Sequence, residues 1–155
     1  MKRRFTYEKL IDGFKKGKFK KIAILTGAGI SVSAGIPDFR SPKTGLYDNL
    51  SQYNLPAPKS MFEWTYFMKT PQPFYHLAKE FLDISKFNPT STHFFIKLLE
   101  DKKLLDMYMT QNIDNLEAKA GIKNAIYAHG ANIGASCARC GQAHDEDKMK
   151  KAIDT

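Results

Sequence analysis

Residues Lys21 to Arg40 read KIAILTGAGISVSAGIPDFR. An apolar run, Ile22 to Leu25, passes directly into Gly27, Ala28 and Gly29, three residues with little or no side chain. A short apolar run ending in glycines is the expected first strand of an α/β unit. In parallel α/β sheets ligands sit beyond the carboxyl ends of the strands, where a glycine-rich turn lets backbone N–H groups approach a pyrophosphate. The spacing departs from the usual dinucleotide fingerprint, since the glycine expected three residues after Gly29 is Val32. On the glycines alone, a nucleotide site and an ordinary tight turn are equally good readings.

The continuation adds chemistry. Pro37 fixes its own φ and stiffens the segment, and Asp38 and Arg40 set a carboxylate and a guanidinium on either side of Phe39. Arginine suits bidentate contact with phosphate or carboxylate, and Phe39 can shield a reactive carbon from water. A surface ion pair between Asp38 and Arg40 is the plain alternative.

Further along, LLDMYMTQNID reads as a second buried strand running into polar residues, NLEAKAG as a short helix stopped by Gly121, and NAIYAHG as a third strand. Strands alternating with helices predict a parallel sheet. Gln111, Asn112 and Asp114 then open onto the same sheet edge as the glycines and offer amides and a carboxylate suited to a ribose, a carboxamide or a water. Capping of the following helix by Asn112 or Asp114 is the alternative. His129 ends the third strand and is a candidate general base.

Residues 30 to 58 are rich in proline and read as a long loop. Two helices are expected between Ser60 and Lys86, broken at TPQP, with Met61, Phe62, Trp64, Phe67, Met68, Phe74, Leu77, Ala78, Phe81 and Leu82 as core. NPTSTHFFIKLLEDKK supplies hydroxyl caps and then a stripe of Phe94, Phe95, Leu98 and Leu99, expected to be the buried face of a third helix.

At 155 residues the chain fits one domain with its own core. Its longest apolar runs are far too short for a membrane-spanning helix, and no apolar region follows the basic start as a secretory signal requires. An intracellular setting, nucleus or cytoplasm, is expected. The net charge of +8 is concentrated in residues 1–21, where nine Lys and Arg face Glu8 and Asp12. That end reads as an amphipathic helix with a solvated face, and a nucleic-acid or acidic partner is the weaker reading. Cys137 and Cys140 are the only two cysteines, and a pair so spaced points to metal or redox chemistry.

The motifs GAGIS, GIPDFR, GLYDNL, TQNIDNLE and HG, in that order, resemble the sirtuins, NAD-dependent protein deacylases, from about Lys21 to Cys140. The wording is most similar to the eukaryotic branch acting on histones, tubulin and other acetylated proteins. The resemblance implies a Rossmann-like parallel sheet of which the first three strands are present. It divides the chain into a basic helix at 1–20, an NAD-binding portion at 21–130 with a helical insertion at about 46–102, and the start of a zinc-binding module at 131–155. It further implies that Gly27, Ala28, Gly29, Asp38, Phe39, Arg40, Tyr47, Gln111, Asn112 and Asp114 face NAD. His129, with Asn112, would be catalytic. In that chemistry the acetyl-lysine oxygen attacks the anomeric carbon of the nicotinamide ribose and nicotinamide leaves. The histidine then deprotonates a ribose hydroxyl, which takes the acyl group.

Cys137 and Cys140 would be zinc ligands, although a structural zinc site takes four. His144 with Asp145 or Asp147 are the nearest further donors, and the second cysteine pair and the later strands of the family pattern lie beyond the matched region. A sirtuin-like protein ADP-ribosyltransferase and a non-catalytic module binding NAD or nucleic acid are the alternative functions.

Overall fold

The computed structural model describes residues 5–81, 86–131, 135–145, 148 and 151. The expected core residue Leu82 and the candidate ligand Asp147 lie outside these. Helix α1, Tyr7–Lys15, starts at Thr6, whose hydroxyl accepts the Lys9 N–H, and it carries Glu8 in its first turn and Lys15 in its last, as the helix dipole favours. Phe14 packs on Phe19 and on Phe95.

Strands β1 (Ile22–Thr26), β2 (Leu105–Thr110) and β3 (Ala125–Tyr127) form a parallel sheet in that order. Thr26 stands beside Thr110, and Thr110 beside Tyr127. The three strands therefore end level with one another, and the loops after them leave from one edge.

Between β1 and β2 the chain is mostly helical in short pieces. Helices α2 (Leu46–Asn49), α3 (Trp64–Phe67), α4 (Gln72–Phe81) and α5 (Ser91–Asp101) alternate with 3-10 turns at Ala28–Ile30, Val32–Ala34, Leu50–Tyr53 and Pro58–Phe62. Thus the loop expected over residues 30 to 58 is shaped by single turns, and Gly35, at φ 98°, closes the second of them. Leu46, Leu50, Met61 and Leu77 form one core cluster, flanked by Tyr47, Tyr53, Leu55 and Phe74. Of the residues expected to be buried here, Phe62, Trp64 and Met68 are exposed, because the extended backbone of Glu63 splits their segment before a continuous helical stripe can form.

The second cluster lies on the sheet: Ile96, Tyr108, Ala120 and Ile122, with Ile24, Leu105 and Ala125. This corrects the reading of α5. The residues it buries are His93, Ile96 and Leu99, whereas Phe94, Phe95 and Leu98 are about half exposed. A histidine counts as polar, so hydrophobic periodicity places the stripe on the phenylalanines; the i, i+3 row that meets the sheet begins one residue earlier. The opposite sheet face presents Leu25, Met107 and Ile126 to solvent.

After β2, the short helix α6 (Leu116–Lys119) leads to Gly121 at φ 84°, which ends it as expected. A small hairpin, β4 (Ala135–Ser136) with β5 (Ala143–His144), holds the two cysteines in its connection. Among the described residues no helix is long and apolar enough to cross a membrane.

Candidate functional site

The level strand ends bring three loops together. Gln111 N–H donates to the Thr26 carbonyl at 3.0 Å and Ala128 N–H to the Thr110 carbonyl at 2.9 Å, so backbone pairing continues one residue past each strand. From that edge the turn after β1 carries Gly27, Ala28 and Gly29, the segment after β2 carries Gln111, Asn112 and Asp114, and His129 follows β3.

The first two loops are joined through Ser31, which is completely buried. Its hydroxyl donates to Asp114 Oδ2 at 2.7 Å and accepts from the Asn112 amide at 3.2 Å. The other Asp114 oxygen accepts the Leu116 N–H at 3.0 Å. Asp114 thus binds the first turn of α6 and Ser31 at once, which is the capping alternative read from sequence. Asn112 is buried, while Gln111 is exposed.

His129 lies in the third loop with its Nδ1 3.0 Å from the Gln111 carbonyl. A carbonyl only accepts, so Nδ1 carries the proton and, in the neutral ring, Nε2 keeps its lone pair. This tautomer suits a base.

Asp38, Phe39, Arg40 and Tyr47 form a second group. The Asp38 carbonyl accepts the Leu46 N–H and the Phe39 carbonyl the Tyr47 N–H, and the Phe39 ring lies 5.7 Å from that of Tyr47 and 5.8 Å from that of Phe62. The Asp38 carboxylate does not pair with Arg40's guanidinium. It accepts the Ser41 hydroxyl, the Ser41 N–H and the Arg40 N–H, and the Ser41 contacts hold its ionisation below the usual carboxylate range. Arg40 is exposed, and among the described residues its guanidinium has no ion pair. Gly45 lets this loop close: a Cβ there would stand 2.7 Å from both the Ser41 nitrogen and the Ser41 oxygen. No hydrogen bond or ring contact among the described residues joins this group to Asp114 or His129.

Beneath the first group runs a buried polar chain that sequence reading missed. The Tyr108 hydroxyl donates to Glu117 Oε1 at 3.0 Å, leaving the Thr26 hydroxyl to donate to Tyr108, also at 3.0 Å. Burial and the Glu117 charge push the Tyr108 phenol well above its ordinary range. His93 and Glu117, both fully buried, come within 4.8 Å of Asp114 through their candidate ligand atoms. The available signal was the run THFF together with NLE: a histidine and a glutamate at helix positions that prove to face the sheet.

The two cysteines, expected as zinc ligands, lie in the turn between β4 and β5. Cys137 N–H donates to the Gln142 carbonyl and Gly141 N–H to the Cys137 carbonyl, forming a tight turn around both. The backbone N–H groups of Cys140 and then Arg139 draw the Cys137 thiol below its ordinary range, which favours the thiolate a metal needs. Four ligands are required. His144 and Asp145 are exposed and form no metal-capable group with the cysteines among the described residues, so this part of the chain fits a pair of zinc ligands and not a complete site.

Comparison with known proteins agrees with this geometry. Residues 27–155 match the Sir2 family. The chain is 48% identical over 148 residues to the NAD-dependent protein deacetylase hst2 of Schizosaccharomyces pombe, covering 94% of this chain and 44% of that protein. It is 50% identical over 141 residues to the NAD-dependent protein deacetylase sirtuin-2 of Danio rerio, covering 88% and 37%. The fold superposes with a TM-score of 0.79 and 32% identity on a solved Sir2 histidine-to-alanine variant described with a deacetylated p53 peptide and 3'-O-acetyl ADP-ribose, covering 97% of this chain and 58% of that one. The chain therefore spans less than half the length of these curated relatives. With its parallel sheet, its glycine turn and its histidine after the third strand, the chain belongs to the Sir2 family.

Proposed function

We propose that this chain carries the nicotinamide-ribose side of an NAD-dependent protein lysine deacetylase site, taking an acetylated protein such as a histone as its second substrate. The observation that carries the reading is the convergence of three loops at one sheet edge, with His129 held in the tautomer that leaves Nε2 free to accept a proton. NAD, when bound, supplies an anomeric carbon that loses nicotinamide and a ribose hydroxyl that accepts the acyl group. His129 Nε2 takes the proton of that hydroxyl.

The remaining residues bind and shield. A Cβ at Gly29 would meet nothing within 4 Å, so the chain's own packing does not call for glycine there; close approach of a pyrophosphate to the backbone does. The Arg40 guanidinium, without an ion pair among the described residues, suits a phosphate or carboxylate, and Phe39, 43% exposed beside Tyr47, can cover the reacting carbon and exclude water. Asp38 acts through the loop, holding Arg40's backbone. Asp114 and Asn112, tied through Ser31, offer a fixed acceptor and an amide to the carboxamide or ribose. Cys137 and Cys140 hold two positions of a structural zinc site, and no chemical step passes through it.

The test is product analysis with NAD and an acetyl-lysine peptide. Acetylated ADP-ribose that disappears with His129→Ala supports deacetylation. A ribosylated protein in its place supports ADP-ribosyl transfer, and a chain that leaves NAD intact contradicts the catalytic reading.

A further inference from the structure

The capping box that opens α5 fixes the protonation pattern of a buried histidine. Thr90 and His93 cap each other, with the Thr90 N–H donating to His93 Nδ1 at 3.1 Å. A proton on Nδ1 would face that N–H directly, so the neutral ring carries its proton on Nε2. Burial pushes the ring's ionisation down against the opposing pull of Glu117 and Asp114, which keeps it neutral near pH 7. The Thr90 hydroxyl lies 2.9 Å from both the same Nδ1 and the carbonyl of Ile30 and shares its single proton between them. Ile30 belongs to the turn that follows Gly27. One side of His93 is thereby fastened to the glycine-rich loop.

The other side points into the core. Nε2 of His93 and Oε2 of Glu117 are both buried without a hydrogen-bond partner among the described residues, and His93, Glu117 and Asp114 each bring a candidate ligand atom within 4.8 Å of the others. Nδ1 is engaged by Thr90 and Nε2 is protonated, which leaves the ring no free lone pair for a metal. What remains is an N–H donor beside two carboxylates, one of them lacking a donor for one oxygen. A buried carboxylate so placed is strongly favoured by an added N–H donor.

We infer that His93 is a positioning residue of the proposed NAD site: fastened through Thr90 to the Ile30 carbonyl, its ring stands against the Glu117 and Asp114 carboxylates behind β2, and so sets the spacing of the site's two loops. This rests on the reading of those loops as an NAD site. Ser31 joins the loops at the front, where Asp114 is partly exposed. His93 joins them at the back, and Glu117 is itself fixed to the sheet by Tyr108. A residue that touches no substrate thereby governs where the glycine turn and Asp114 stand.

Two substitutions separate this role from simple helix capping. Asparagine at 93 places an oxygen where Nδ1 stands and can keep the cap, but it is too short to reach the carboxylates. Glutamine can serve the capping box and still direct an amide N–H inward. The full chain is titrated with NAD, with folding followed by circular dichroism, and the histidine tautomer is read from long-range 1H–15N spectra. The expected result is an Nε2–H tautomer, a folded His93→Asn variant binding NAD roughly tenfold more weakly, as loss of the N–H that faces the two buried charges implies, and a His93→Gln variant that recovers most of the loss. If His93→Asn does not fold, Glu117→Gln carries the test, because its amide can still accept from Tyr108 but presents a donor to Nε2–H; the same weakening is expected.

Wild-type affinity in the variant that carries the test, equal loss in Asn and Gln, or an Nδ1–H tautomer overturns the inference while the NAD reading stands. Wild-type protein that binds no NAD overturns both.

Discussion

Ser31, fully buried, donates its hydroxyl proton to Asp114 at 2.7 Å while accepting the Asn112 amide at 3.2 Å, joining the loop after β1 to the loop after β2. The sequence separation is 83 residues between Ser31 and Asp114, so the bond closes a long excursion of chain at a single point. Replacing Ser31 with Ala leaves a partly buried carboxylate without one of its donors. The expected loss is about 1.5–3 kcal/mol of stability, read from urea unfolding, together with weaker NAD binding. Unchanged values for both would remove Ser31 from the site.

Gly29 and Gly45 make opposite predictions. At Gly45 a methyl group would collide with the Ser41 backbone at 2.7 Å, and the neighbouring backbone bonds from Leu46 and Tyr47 to residues 38 and 39 leave the loop little freedom to yield. Gly45→Ala should destabilise by roughly 1–3 kcal/mol. Gly29→Ala meets open space, so thermal stability should hold or rise by up to about 1 kcal/mol, while NAD titration shows a loss of affinity. A stable Gly29→Ala variant with full NAD affinity would argue that the turn is only a turn.

Tyr108→Phe tests the buried chain under the site. The substitution keeps the ring that packs on Ile96 and Ile122 and removes the hydroxyl between Thr26 and Glu117. A buried carboxylate then loses its donor, at a cost of about 1–3 kcal/mol. A variant as stable as wild type across neutral pH would contradict the donor role.

The loop around Asp38 should be sensitive to acid. Its carboxylate titrates below the ordinary value because the Ser41 hydroxyl and N–H favour the charged form. A depressed folded-state value means that its contribution is complete above the ordinary carboxylate range, near pH 4, and is lost as pH falls through the lower folded value. Amide exchange at Leu46, whose N–H donates to the Asp38 carbonyl at 2.7 Å, should therefore quicken at strongly acidic pH in wild type. In Asp38→Asn the exchange should be fast throughout.

Most of the sheet was legible because each of its strands is a short apolar run with a glycine or polar stop: KIAIL before the glycines, LLDMYM before Thr110, and AIY before His129. The helical insertion was legible in existence and less so in phase. His93 faces the core because its ring serves the Thr90 cap and the Glu117 pocket, and hydrophobic periodicity assigns no weight to a polar residue buried for that reason. Ser31 and Glu117 were missed similarly, since each looks like an ordinary surface residue until a partner from a distant segment meets it. The Asp38–Arg40 pairing failed as an ion pair because backbone N–H groups two and three residues on reach the carboxylate first, a local competition that spacing alone does not reveal.

The central claim is that the edge formed by residues 27–31, 111–114 and 129 receives the nicotinamide ribose of NAD. The most direct measurement is a titration of the isotope-labelled chain with NAD, followed by backbone amide chemical shifts. The account predicts that the perturbed amides are those of Gly27 to Ser31, Phe39 to Arg40, Gln111 to Asp114 and His129. No perturbation at millimolar NAD, or perturbation confined to the basic α1 segment, would contradict it.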